Sequence, residues 1–235
     1  MTWQRALAEQ ASRTALDEPG VESVEVTGSL ADPDAELDAW SDVDLRVVLA
    51  GGSEFDGSRF VARFGTPWAL TTQTTTGELV HRVVYDDGRR LDLVVVTRGG
   101  VPLGGVRVPR SVAGAVADGS LVEVRQAAAL AVAKLARDDL LIGMHLALEL
   151  VQHCLEQAMV LHDRELGTTS HRTGGPFNEV VARLDGLRRH PWTPAGGMAL
   201  VREAADVHDE LAVRLDPSHV ADWSGLDALL RQAGR

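Results

Sequence analysis

The chain is poor in the residues that would make it a disulfide scaffold, a membrane protein or a nucleic-acid binder. It has one cysteine, Cys154, among 235 residues. A lone cysteine excludes an internal disulfide and any zinc cluster built on cysteines, and the apolar helical surroundings of Cys154 suit a small buried side chain. No uninterrupted apolar run approaches the roughly 18 residues that a membrane-spanning helix needs. Met1-Thr2-Trp3-Gln4-Arg5 leads into an amphipathic segment where a signal peptide would have its apolar core, so a cytoplasmic location is expected. Positive charge is also scarce: 23 Lys and Arg against 34 Asp and Glu leave a net charge of -11. That balance argues against broad nucleic-acid binding, which needs a basic footprint. It is compatible with a cationic small-molecule partner. Among the basic residues only Lys134 is lysine, an exception that is either chance on a solvated face or a point charge kept for phosphate oxygens.

What is present is a spaced set of carboxylates. Asp42 and Asp44 stand two apart at the head of the strand-like Val43-Asp44-Leu45-Arg46-Val47-Val48-Leu49, and residues two apart on a strand project from the same face. Neighbouring carboxylates repel unless a cation lies between them, and magnesium suits such a pair because substrate phosphates and water complete its shell. A third carboxylate, Asp92, interrupts the β-branched run Leu91-Asp92-Leu93-Val94-Val95-Val96. A charge there calls for a partner. Ahead of them, Gly28-Ser29 follows the strand-like 21–27 segment. The glycine lets backbone approach a ligand, and the amide and hydroxyl beyond it can donate to a triphosphate. Gly-Ser alone is an ordinary turn, but in combination with the carboxylates it reads as a metal-dependent nucleotidyl-transfer site.

Periodicity divides the chain into an α/β half and a helical half. A helix is expected over 3–16, stopped by Pro19-Gly20, and strands over 21–27, 43–50, 67–72, 79–85 and 90–97. Asp86-Asp87-Gly88 is a hairpin signal that joins the last two strands. Residues 98–110 read as a Gly/Pro-rich linker without the Gly-Lys-Ser/Thr ending of a P-loop. Two domains are expected, 1–110 and 111–235, the second a helical bundle with helices over 121–137 and 139–163, ended by Gly167-Thr168-Thr169-Ser170, and further helices near 197–213 and 224–232, set off by Pro191, Pro194 and Gly196-Gly197.

In the helical half, Lys134 and Asp138 are four apart, as are His145 and Glu149, with Gln152 seven beyond His145. Each set shares one side of a helix. His145 and Glu149 interrupt an apolar run, so they either pair with each other inside the bundle or face an aqueous or ligand-filled space. His171-Arg172 is a further candidate for an anionic ligand, with surface arginine as the commoner explanation.

The unbroken segment from Gly28-Ser29 to Asp42-Val43-Asp44 resembles the active-site segment of the aminoglycoside 6-adenylyltransferases, the streptomycin adenylyltransferases, a branch of the polymerase-β-like nucleotidyltransferase superfamily. Val84-Tyr85-Asp86-Asp87-Gly88-Arg89-Arg90-Leu91-Asp92-Leu93 is similar to the family's hairpin bearing the third aspartate, and Val132-Ala133-Lys134-Leu135 with Arg137-Asp138-Asp139 to the start of its helical domain. The resemblance implies a polymerase-β-like α/β catalytic domain with a mixed sheet, then an all-α domain, with ATP and the acceptor bound between them. It implies Asp42, Asp44 and Asp92 as ligands of two Mg²⁺ ions, Gly28 and Ser29 as the phosphate-loop pair, and Lys134 as the triphosphate lysine. This chain has Leu30 where the family commonly has arginine, and no lysine near Thr173-Gly174-Gly175.

The activity this implies is in-line attack of an acceptor hydroxyl on the α-phosphorus of ATP, with pyrophosphate leaving. Asp92 or Glu149 would act as general base, and His145 and Glu149 would meet the acceptor. The expected acceptor is a cationic or hydroxylated small molecule such as an aminoglycoside antibiotic, which would make the enzyme a resistance factor. The alternatives are a lincosamide, protein or RNA acceptor, or a nucleotide-binding module without catalysis.

Overall fold

The computed structural model describes residues 2–98, 116–167 and 178–234, apart from 33, 36 and 76. The expected 98–110 linker (beyond Arg98), the Thr168-Thr169-Ser170 stop and His171-Arg172 lie outside the described residues. The chain forms two compact units, Met1–Ala113 and Gly114–Arg235.

The first unit opens with α1 (Trp3–Leu16), whose N-terminus is capped by the Thr2 hydroxyl accepting from the Arg5 amide. Strands β1 (Val21–Thr27), β2 (Val43–Leu49), β3 (Pro67–Thr75), β4 (Glu78–Tyr85) and β5 (Arg90–Thr97) form one mixed sheet in the order β1-β2-β5-β4-β3. Every neighbouring pair is antiparallel except β2 and β5, which run parallel. A parallel pair needs a crossover. Here the helix α2 (Gly57–Val61) and the β3–β4 hairpin provide it.

Alternation along β2 assigns the two faces. Val43, Leu45, Val47 and Leu49 are buried, as are Leu91, Leu93 and Val95 of β5, and they pack with Leu7, Ala11 and Ala15 of α1 and Phe60 beside α2's Val61. Asp44 and Asp92, one residue out of phase with these sets, therefore project from the opposite face. The Tyr85 hydroxyl, buried on β4, donates to the carbonyl of Val61 at 2.8 Å and fastens α2 to the sheet. Helix α2 has no counterpart among the sequence expectations. It spans only five residues and begins with glycine, too short for a period to be read.

The second unit holds α3 (Val116–Ala136), α4 (Leu140–Leu166), the short α5 (Asn178–Arg183) and α6 (Gly186–Arg189), α7 (Pro194–Leu215) and α8 (Ser224–Ala233). Its core is small-residue packing. A Cβ on Gly143 of α4 would come within 2.6 Å of Leu135, and one on Gly197 of α7 within 2.8 Å, so the Leu135 side chain fills the space that both glycines leave. Cys154 is buried and its thiol donates to the Ala204 carbonyl at 3.2 Å, with burial pushing its pKa up to about 12. It is a packing residue. Asp209 on α7 accepts from Trp223 Nε1 and lies 2.9 Å from His219 Nε2, which ties the segment before α8 to α7. No described helix is long and apolar enough to cross a membrane.

Candidate active site

Four strands bring the candidate residues into one row. Thr27 on β1 is the register partner of Asp44 on β2, Asp44 of Asp92 on β5, and Asp92 of Arg82 on β4. Adjacent strands lie about 4.8 Å apart, so two carboxylates in direct register on one face are near neighbours. Asp42, immediately before β2, stands on the same side.

Gly28 and Ser29 form the start of a tight 3-10 turn, Gly28–Leu30, directly after β1. Gly28 has φ +64°, and a Cβ there would lie 2.1 Å from Oδ2 of Asp44. Only glycine satisfies both the left-handed backbone and the approach of the carboxylate.

The charges disturb one another. Burial, then the charge of Asp42, raises the pKa of Asp44, with Arg90 opposing. Burial, again followed by Asp42, pushes Asp92 up to about 6; Asp44 adds to the rise, while Arg82 and Arg90 oppose it. Arg82 Nε is 3.3 Å from Asp92 Oδ2. The three carboxylates are thus electrostatic neighbours with Asp92 turned toward an arginine. Among the described residues no three His, Cys, Asp or Glu side chains are gathered closely enough to hold a metal ion as they stand. The donor set nevertheless fits a divalent cation: oxygen ligands only, partly buried, held against mutual repulsion, beside a glycine turn whose missing Cβ leaves one of them room.

The sequence alone does not single out Arg90 and Gln4. Arg90, two residues before Asp92 and on its face, is buried, and its Nη2 donates to the Trp40 carbonyl. A basic residue two positions from a strand carboxylate was the available signal. For Gln4, a polar residue in the amphipathic pattern of α1, nothing in the sequence distinguished it from its neighbours.

In the helical unit the expected Lys134–Asp138 relationship is corrected. Helix α3 ends at Ala136, Asp138 turns into the left-handed region at φ 60°, and Lys134 Nζ stands 3.7 Å from Asp139 Oδ2 instead. The chain reverses between two helices there, so four-residue spacing no longer means a shared face. His145 and Glu149 are exposed on α4 and, with Leu148, Gln152 and His153, line a groove of about 330 Å³. They face the groove and do not pair inside the bundle.

Residues 1–101 match the streptomycin adenylyltransferase family. By that likeness the chain is a nucleotidyltransferase, and the match takes in the glycine turn and all three aspartates. It covers less than half of the 235 residues, all of them in the first unit. Among solved structures, an aminoglycoside 6-adenyltransferase from Bacillus subtilis aligns over 100% of this chain and 98% of its own, at 10% identity and a TM-score of 0.30. No curated protein matches the chain.

Proposed function

We propose that the chain transfers AMP from ATP to a hydroxyl of an aminoglycoside-like small molecule in a Mg²⁺-dependent reaction. The observation that carries this reading is the direct register of Asp44 with Asp92 beside the Gly28 turn, inside the segment that matches an adenylyltransferase family. Asp42, Asp44 and Asp92 are the residues that would hold the metal. When bound, magnesium supplies the positive charge that favours hydroxyl ionisation and stabilises the leaving oxygens.

The chain's own residues orient and receive. Backbone amides at Gly28-Ser29 and the Ser29 hydroxyl donate to triphosphate oxygens. Asp92 takes up the proton of the attacking hydroxyl. The ammonium groups of the acceptor suit a chain of net charge -11. Most of the rate acceleration then comes from position and charge neutralisation.

The test is release of pyrophosphate from ATP in the presence of Mg²⁺ and a panel of aminoglycosides and lincosamides. Acceptor-dependent release supports the reading. ATP binding without release for any acceptor overturns it in favour of a nucleotide-binding module.

A further inference from the structure

Asp42 hangs at the end of a connection that runs from the glycine turn to β2, and a carboxylate on a loose connection would be a poor ligand. Two buried side chains from other elements grip that connection. Gln4 of α1, 1% exposed, donates from Nε2 to the Asp38 carbonyl at 2.8 Å and lies 3.4 Å from the Ser41 carbonyl. Arg90 of β5, 7% exposed, donates to the Trp40 carbonyl between them. Inside the grip, Asp38 Oδ1 accepts from the Trp40 amide and the Ser41 hydroxyl, both at 2.9 Å. Ser41 is itself buried.

Buried donors of this kind do not settle on backbone carbonyls without consequence. An amide or guanidinium taken out of water is costly unless it is satisfied, so the position of each carbonyl is enforced by the donor that needs it. Three carbonyls in the four residues before Asp42 are held in this way, two by Gln4 of α1 and one by Arg90 of the strand that carries Asp92.

We propose that Gln4 and Arg90 are positioning residues that clamp the 38–41 backbone and so aim the Asp42 carboxylate at the cation shared with Asp44 and Asp92. The role rests on the nucleotidyl-transfer reading above. Neither residue touches the reacting atoms. Arg90 also lies close enough to Asp44 and Asp92 to oppose their repulsion, so one side chain ties the loop to the strand and balances the carboxylates it helps to place.

The experiment uses the full chain, with Mn²⁺ as the probe ion. Gln4→Met keeps the volume and removes the donor at a site away from the carboxylates; Arg90→Lys keeps the charge and removes the guanidinium fork. Mn²⁺ titration without nucleotide, melting temperature, and hydrogen exchange at amides 39–43 are measured for each. Expected are faster exchange at those amides and Mn²⁺ binding weakened by about tenfold or more, the usual scale for loss of an outer-shell partner. Variants that fold and bind Mn²⁺ within twofold of the wild type overturn the clamp, even if their melting temperatures fall. A wild-type chain that binds no Mn²⁺ overturns the nucleotidyl-transfer reading and the clamp with it, whereas unchanged affinity in the variants alone overturns only the clamp.

Discussion

Gly28 and Asp44 occupy each other's space: the Cβ that any other residue would place at position 28 lies 2.1 Å from the Asp44 carboxylate oxygen. The backbone there is also left-handed, at φ +64°. Gly28→Ala is therefore expected to lose about 1–2 kcal/mol from the backbone alone and to push Asp44 from its place opposite Asp92. A thermal melt combined with a transfer assay checks this. Activity should fall much further than the modest loss of stability would explain.

Asp92 gives a pH signature. Its carboxyl keeps its proton up to about pH 6 in the folded chain, against 3.8 for the ordinary group, chiefly because of burial and the charge of Asp42. The folded state therefore binds more protons between those values, so stability falls as pH rises through that window and stays lower above it. Asp92→Asn is expected to melt higher than wild type at pH 8 without divalent metal. Below about pH 4 the difference should vanish, because both side chains are then neutral. Melting curves across this range in EDTA decide it.

His208 in the helical unit gives the opposite sign. It is 1% exposed, and burial holds its pKa down to about 4, helped by His219, His153 and Arg125 and opposed by Asp209. Gln157 Nε2 is 2.9 Å from its Nε2, and its Nδ1 has no hydrogen-bond partner among the described residues. The stability it contributes is complete above pH 6.5 and is lost as pH falls toward 4, by up to about 3 kcal/mol. Urea unfolding of wild type and His208→Leu at pH 7.5 and pH 4.5 tests this. The gap between the two pH values should shrink in the variant.

Gly57 opens α2 against a buried histidine. A Cβ on it would lie 2.1 Å from His81 Nε2, and His81 is 2% exposed with its Nδ1 3.0 Å from the Thr72 hydroxyl. Gly57→Ala should cost about 1–3 kcal/mol by overpacking, measurable as a lowered denaturation midpoint. Activity per folded molecule should be little changed, because His81 points away from the carboxylate face.

How much of this was legible in the sequence follows from which physics each feature depends on. The α1 helix and the β1 and β5 strands lie where the sequence reading places them: α1 buries one helical face, β1 is a half-buried edge strand, and β5, inside the sheet, is buried along most of its length. Asp42, Asp44 and Asp92 stood out because a carboxylate is conspicuous in an apolar strand. The register that sets Asp44 opposite Asp92 was not legible, since it depends on a parallel pairing made across an intervening helix and hairpin. Gln4 and Arg90 were missed for a related reason. Their function lies in carbonyls 34 and 50 residues away, and backbone acceptors leave no mark in a sequence. Lys134 shows the reverse error: spacing suggested a helical partner in Asp138, but the helix ends first.

Adenylyl transfer centred on Asp44 is decided by mass spectrometry of an aminoglycoside after incubation with ATP, Mg²⁺ and the enzyme, with Asp44→Asn in parallel. The expected result is an acceptor heavier by one AMP with the wild type and unmodified acceptor with Asp44→Asn, whose circular dichroism spectrum should match wild type. Equal modification by both proteins, or none across the whole acceptor panel with the wild type, would contradict it.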